Sequence, residues 1–239
     1  MDNASTWYAA DVTEIRQESP TARTLRLRLP HPVEHLPGQH YEIRLTAPDG
    51  YQAARLYSAA SAADGSDNLE LTIALVQDGE VSPYLTNSLT VGSHAEVRGP
   101  LGKFFVWDAA TAGPTLLVAG GSGVAPMRAI LQAHATSNSA TPLRLLYSAR
   151  SHDEIFYKDY LLHNDRVGIT ITGEASADWR GHSGRINKTL LATTLKDLGT
   201  ATPDCFVCGM TPFVEAMTQL LVEAGIPAGK IKAERYGSA

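Results

Sequence analysis

Arg55-Leu56-Tyr57-Ser58 places a cation, an aromatic face and a small hydroxyl within one strand-like stretch. A guanidinium can grip a pyrophosphate through two parallel hydrogen bonds. A tyrosine ring can lie against a flat heterocycle, and a hydroxyl can bond a ring nitrogen that takes up hydride. On a strand Arg55 and Tyr57 share a face and Ser58 turns away, so Ser58 reaches the same ring only where the strand ends. The plainer reading is an edge strand with a solvated arginine and a packed tyrosine. Further on, Gly120-Gly121-Ser122-Gly123-Val124-Ala125-Pro126 follows the apolar run Leu116-Leu117-Val118-Ala119 and opens a helical segment. Pro126 is tolerated in a first helical turn. A helix start offers free N–H donors and a positive dipole end to a diphosphate. The spacing is neither G-x-G-x-x-G nor a P-loop. The first stretch suits a flavin and the second a pyridine nucleotide.

Gly79-Glu80-Val81-Ser82-Pro83-Tyr84-Leu85 offers a second anion contact. A glycine ahead of a helix start, with Ser82 as N-cap, would present backbone N–H groups to a pyrophosphate. An ordinary capped helix fits the same residues. Gly99-Pro100-Leu101-Gly102, followed by Lys103-Phe104-Phe105, permits a tight turn, or a wall beside a flat ring. Cys208-Gly209-Met210 closes an apolar strand on the edge where ligands gather in doubly wound sheets. In Glu234-Arg235-Tyr236-Gly237 the aromatic is either a packed terminal residue or the cover of a flat cofactor.

Cys205 and Cys208 are the only cysteines, and the eight histidines show no ligand spacing with them. A structural zinc or an iron–sulfur cluster needs a fuller ligand set. Residues three apart on a strand point to opposite faces, so no shared metal or disulfide is expected. The 239 residues fit one large domain or two ordinary ones, and 44% hydrophobic residues suffice for real cores. A net charge of -5 gives nucleic-acid binding little support. No apolar run is long enough to span a bilayer. The first residues show no secretory signal, so the cytoplasm is the expected compartment.

These residues need two kinds of scaffold. Short strands are expected at Tyr8–Ile15, Thr24–Leu29, Tyr41–Leu45, Arg55–Ala59, Leu69–Val76 and Ala95–Arg98, with one helix at Ser82–Leu89. Thr24-Leu25-Arg26-Leu27-Arg28-Leu29 alternates with period two, as a half-buried antiparallel strand does. From Thr111-Ala112-Gly113-Pro114 onward the pattern changes. Apolar strands at Thr115–Ala119, Leu143–Tyr147, Val167–Thr172, Phe206–Cys208 and Ile231–Arg235 alternate with helices at Val124–His134, Ile155–His163, Ile186–Leu195 and Thr211–Ala224. That predicts an N-terminal antiparallel domain, a closed barrel or a sandwich, taken as a Greek-key β-barrel over residues 1–110, followed by a doubly wound parallel-sheet α/β domain, residues 111–239.

In order and type these motifs resemble the ferredoxin–NADP reductase family of flavoproteins. Arg55-Leu56-Tyr57-Ser58 is similar to its R-x-Y-S/T motif, with Leu56 where a proline is usual. The resemblance implies that Arg55 binds the FAD pyrophosphate, Tyr57 stacks on the isoalloxazine and Ser58 approaches N5. It implies that Gly79, Val81 and Ser82 make the second pyrophosphate contact, and that Leu75 and Val76 line the flavin. Gly120, Gly121, Ser122, Gly123 and Pro126 resemble the nicotinamide-nucleotide loop. Cys208-Gly209 resembles the pair beside the nicotinamide, with Met210 in place of a frequent proline. Glu234 to Gly237 resembles the terminal segment carrying a flavin-stacking aromatic, here Tyr236. Ser58, Cys208, Glu234 and Tyr236 are the implied catalytic residues, and residues 1–110 and 111–239 the FAD- and NAD(P)-binding domains.

The resemblance implies hydride transfer from NAD(P)H to FAD and one-electron delivery to an acceptor. A fused [2Fe–2S] domain would need more cysteines than the two present, so the iron–sulfur or oxygenase partner is expected to be a separate protein and the chain a monomer. Rival readings are an NAD(P)H:flavin reductase using free flavin and a flavin-binding electron-transfer subunit without nucleotide turnover. Arg150 and Arg185 could pair with a 2′-phosphate, and no acid sits at that strand end, which leans toward NADPH over NADH. Asp153 and Glu154 are read as capping the next helix. Arg16, Arg23, Arg26 and Arg28 could form a basic docking face or be ordinary solvated strand residues.

Overall fold

Residues with every second side chain apolar become strands, and those with none of their faces polar become the buried ones. The computed structural model describes residues 6–237. They divide into two units, one running to Trp107 and taking in Arg128–Ala133, the other formed by the remainder.

The first unit contains β1 (Tyr8–Ser19), β2 (Ala22–Arg28), β3 (His40–Thr46), β4 (Gln52–Ser58), β5 (Asn68–Ala74), α1 (Ser82–Asn87) and β6 (His94–Leu101). All pairings are antiparallel, in the order β4-β3-β6-β1-β2-β5. β6 lies between β3 and β1, the long return of a Greek key. An isolated antiparallel bridge from Ala59 to Leu71 joins the end of β4 to β5 and closes the sheet into a barrel. In β2, Leu25 and Leu27 are fully buried and pack with Ile43, Leu69, Leu71 and Ile73 in the barrel core.

Glu70 is a buried carboxylate on β5. Its Oε2 accepts from Arg16 Nη2 at 2.8 Å and Arg128 Nη1 at 2.6 Å, and its Oε1 from Arg26 Nη2 at 2.7 Å. Burial pushes its pKa up, but the Arg16 hydrogen bond, the Arg128 charge and the Arg26 bond outweigh that and hold it at about 2. The arginines considered as a basic face are thus committed elsewhere. Arg16 and Arg26 also pair with Glu14, Arg28 pairs with Asp11 at 2.7 Å, and Arg23 donates to Gln17. Acids on the barrel strands offset the charges of Arg16, Arg26 and Arg28, while the recorded partner of Arg23 is the neutral Gln17.

The second unit contains β7 (Thr115–Gly120), the two ends of α2 (Val124–Thr136, whose middle counts with the first unit), β8 (Leu143–Ala149), α3 (Lys158–Leu162), β9 (Val167–Ile171), β10 (His182–Ser183), α4 (Lys188–Asp197), β11 (Asp204–Met210), α5 (Thr211–Glu223) and β12 (Ile231–Tyr236). The strands are parallel, in the order β10-β9-β8-β7-β11-β12. β7, β8 and β11 are buried nearly throughout, as a sheet covered on both faces requires. α3 starts later than its sequence pattern because buried Tyr157 has a left-handed φ of +53°, which a helix cannot pass through. Asp153 and Glu154 therefore sit in a separate single turn and do not cap it. Among the described residues no helix is long and apolar enough to cross a membrane.

Candidate active site

On β4 the register sets Tyr57 beside Tyr41 and Arg55 beside Ile43, so guanidinium and ring share a face. β4 is at the sheet's edge, which leaves Arg55 exposed while Tyr57 is half-buried against the barrel core. Burial raises the Tyr57 pKa, so the phenol stays neutral. Ser58 ends the strand and is buried, and Leu56 is exposed on the other face. Leu75 and Val76 lie just past β5, Leu75 half-buried and Val76 exposed.

The turn at Gly79 meets this strand through Glu80. Arg55 Nη2 donates to Glu80 Oε2 at 2.5 Å, and the Tyr51 hydroxyl donates to Glu80 Oε1 at 2.6 Å. The Tyr51 hydrogen bond, then the Arg55 one, holds the Glu80 carboxyl below its ordinary pKa. Arg55 Nη1 also donates to the Ala54 carbonyl at 2.7 Å. Ser82 is not the N-cap of α1. Buried Val81 is, with no side-chain cap bond. Ser82 Oγ instead accepts from Val76 N at 3.0 Å, and Gly79 N donates to the Val76 carbonyl at 2.9 Å, so the serine closes the turn on itself. Gly99-Pro100-Leu101 is the end of β6 rather than a turn.

In the second unit β7 ends at Gly120, and a tight bend over Gly121–Gly123 leads into α2. Gly121 has φ +54° with open space around it. Gly123 is a case of contact: a Cβ there would lie 2.2 Å from the Cys208 carbonyl oxygen. The glycine bend thus rests directly on the end of β11, and the two motifs form one place. The Phe213 ring covers it, since a Cβ on Gly120 or Gly209 would come within 2.9 Å of the ring. Ser122 is half-buried, Pro126 is buried in the first turn of α2, and exposed Met210 is the N-cap of α5.

β11 and β12 pair with Cys208 beside Glu234 and Met210 beside Tyr236. Partnered residues share a face, so Cys208, Glu234 and Tyr236 converge at the carboxyl ends of these strands. Both cysteines are free and buried. Burial pushes the Cys205 thiol up to about 12. Burial and then the Glu234 charge raise the Cys208 thiol, against a side-chain hydrogen bond from Tyr236. Cys208 is therefore a protonated thiol, a packing and contact group rather than a nucleophile. Burial pushes Glu234 up to about 7, so it can hold or release a proton near neutrality.

That shift carries a stability signature. Folding raises the carboxyl from 4.5, so the folded chain binds more protons than the unfolded one between about 4.5 and 7. Stability falls as pH rises through that window and levels off above it. Glu234→Gln is expected to remove this part of the slope. Thermal melts across the window check it, and parallel curves for parent and variant would mean a solvated carboxyl.

Arg150 follows β8 and Arg185 follows β10, both exposed. Only β9 separates those strands, so their edges stand about 10 Å apart, within joint reach of two arginine side chains. Between β9 and β10, Trp179 donates its indole N–H to the His182 carbonyl at 2.9 Å and meets the His152 ring edge to face at 6.0 Å. Sequence reasoning missed Glu80, Phe213 and Trp179. Glu80 looks like a solvated turn residue, and only the β4 register reveals its partners. Phe213 falls in the first turn of a helix after a glycine, a position from which a large ring can fold back over the strand end.

The residues present fit a flavin dinucleotide and a nicotinamide nucleotide. Arg55 is an exposed cation beside an ordered aromatic face, and Gly121 at the helix entry offers backbone with open space around it, flanked by glycines whose missing side chains make room for the Phe213 ring and the end of β11. Comparison with known proteins agrees. Residues 9–106 match the oxidoreductase FAD-binding domain family and residues 117–219 the oxidoreductase NAD-binding domain family. The ferredoxin–NAD(P)+ reductase component of the naphthalene 1,2-dioxygenase/salicylate 5-hydroxylase systems of a Ralstonia species is 32% identical over 94% of this chain and 67% of its own. Ferredoxin–NADP reductase B of Sorangium cellulosum is 31% identical over 96% of this chain and 97% of its own. A ferredoxin NADP+ reductase from Neisseria gonorrhoeae, solved with bound FAD and NADP, shares the fold, with a TM-score of 0.80 at 22% identity over 97% of this chain and 99% of its own. With both halves matched and a relative aligned end to end, the chain belongs to the ferredoxin–NADP reductase family and is an FAD- and NAD(P)-binding oxidoreductase.

Proposed function

We propose that this chain takes electrons from a reduced nicotinamide nucleotide and passes them singly to a separate ferredoxin or oxygenase component. Bound FAD supplies the conversion between a two-electron donor and a one-electron acceptor. The names of the relatives support such an acceptor, because the Ralstonia protein is a ferredoxin–NAD(P)+ reductase component. In this reading the chain acts as a single copy in the cytoplasm, a compartment that suits two free cysteines.

The observation that carries this reading is the meeting of the glycine bend with Cys208, Glu234 and Tyr236 at one set of strand ends. In this reading residues 1–110 take the flavin and residues 111–239 the nucleotide. Arg55 and the backbone of Val81 and Ser82 bind the pyrophosphate, with Gly79 forming the turn that presents them. Tyr57 and Tyr236 offer aromatic faces, Leu75 and Val76 exclude water, and Ser58 offers a hydroxyl to the ring, while Leu56 faces away from Tyr57. Gly120 to Gly123, with Pro126 setting the helix start, hold the nucleotide phosphates by backbone N–H groups. Gly209 and Met210 border the nicotinamide, Glu234 moves a proton, and Cys208 fills the space beside it. Arg150 and Arg185 favour the 2′-phosphate of NADPH.

Anaerobic mixing of the purified yellow protein with NADPH or NADH tests it. Bleaching of the flavin by one of them, faster with NADPH, followed by reoxidation on adding a ferredoxin, is the expected result. A flavin that neither nucleotide reduces would end the proposal.

A further inference from the structure

Arg55 is the candidate pyrophosphate cation, yet its guanidinium is already engaged. Glu80 Oε2 accepts from Arg55 Nη2 at 2.5 Å, while Tyr51 steadies the other carboxylate oxygen at 2.6 Å. Arg55 Nη1 is turned back onto the carbonyl of Ala54 at 2.7 Å. The side chains of Arg55 and Glu80 are both about half exposed, at 51% and 47%. An exposed pair of this kind is weak and exchanges readily with a better anion. Glu80 is also fixed by its place in the chain. It directly follows Gly79, whose turn is closed by the Ser82 hydroxyl on Val76, so its backbone position is set while the Tyr51 hydroxyl holds the carboxylate.

We infer that Glu80 is an affinity-setting residue for the flavin, an internal anion that competes with the FAD pyrophosphate for Arg55 and keeps the cofactor exchangeable. The inference rests on Arg55 being the pyrophosphate ligand, as proposed above. The carboxylate occupies one edge of the guanidinium fork, so a diphosphate must displace it to take both of the donors that face it. Tyr51 strengthens the competitor by holding it in place. A loosely held flavin is also what a chain handing flavin to solution would need, so the same residue sets how far this reductase resembles one that uses free flavin.

The test is FAD release from the purified protein, and FAD rebinding after its removal, in four forms: parent, Glu80→Gln, Arg55→Ala and the double variant. Glutamine keeps the size and hydrogen-bonding reach of Glu80 and removes its charge. Glu80→Gln should bind FAD about tenfold more tightly, mainly through slower release. In the Arg55→Ala background the same change should give no gain. Unchanged or weaker binding in Glu80→Gln would overturn the inference, because Glu80 would then be a support for Arg55. A gain that persists without Arg55 would overturn it too, as a general charge effect. If Arg55→Ala retains FAD as the parent does, it is the pyrophosphate role of Arg55 that fails, a result distinct from the other two. Thermal melts of all four confirm that the barrel is folded.

Discussion

Gly123→Ala is expected to lower nicotinamide-nucleotide oxidation by about 100-fold while leaving the FAD content intact. The added methyl would sit 2.2 Å from the carbonyl oxygen of Cys208 and 2.7 Å from the backbone nitrogen of Gly209. Those atoms belong to β11, held in the sheet on both sides by β7 and β12, so neither can yield. The bend over Gly121–Gly123 must move instead, and a shift of about 1 Å in a phosphate loop is enough for a loss of that size. Gly121→Ala is the control. Its φ of +54° disfavours a side chain, but nothing lies within 4 Å of the added atom, so only the local conformational cost of about 1 kcal/mol applies. Steady-state turnover of both variants, with flavin absorbance for cofactor content, separates the two cases. Near-parental turnover in Gly123→Ala would mean that the bend does not hold the nucleotide.

Glu70→Gln is expected to destabilise the barrel unit by about 3–5 kcal/mol, the range for removing one partner from a buried ion cluster. Arg16, Arg26 and Arg128 all converge on this carboxylate, at 2.6–2.8 Å, so neutralising it leaves like charges crowded together. For a chain of this length that corresponds to a fall in Tm of roughly 10 °C. The effect depends on pH with a definite sign. Folding lowers the Glu70 pKa from 4.5 to about 2, so its contribution is complete above about 4.5 and vanishes as pH falls toward 2. Melting curves of parent and variant should therefore differ at neutral pH and converge in acid. A constant gap down to acid pH would show that packing, not charge, makes the difference.

The barrel strands were legible because their inward residues alternate, as Leu25 and Leu27 do in β2. The parallel strands were legible because β7, β8 and β11 carry almost no polar residues. The motifs at Arg55 and Gly120 were legible because guanidinium–aromatic and strand–glycine–helix patterns have a chemistry of their own. What escaped depends on contacts between distant segments. β10 has two residues and no periodicity to read. Ser82 looked like an N-cap, but its hydroxyl finds a nearer partner in the Val76 backbone. The arginines of β1 and β2 could be read as a docking face or as solvated strand residues, and the sequence did not reveal that Glu70, Glu14 and Asp11 answer Arg16, Arg26 and Arg28. Glu80 carries no pattern at all, and its meaning comes from the register that brings β4 to it.

The sheet order of the second unit has a consequence for how the chain is made. β7 is flanked by β8, which follows it closely, and by β11, which emerges from the ribosome much later. Until β11 arrives, Thr115–Gly120 presents an open, mostly apolar edge with its outer amides and carbonyls unanswered. Such an edge can recruit the same strand of another nascent copy. Completion of the nucleotide loop and protection from self-association thus come in one late event, when the strand bearing Cys208 pairs with β7.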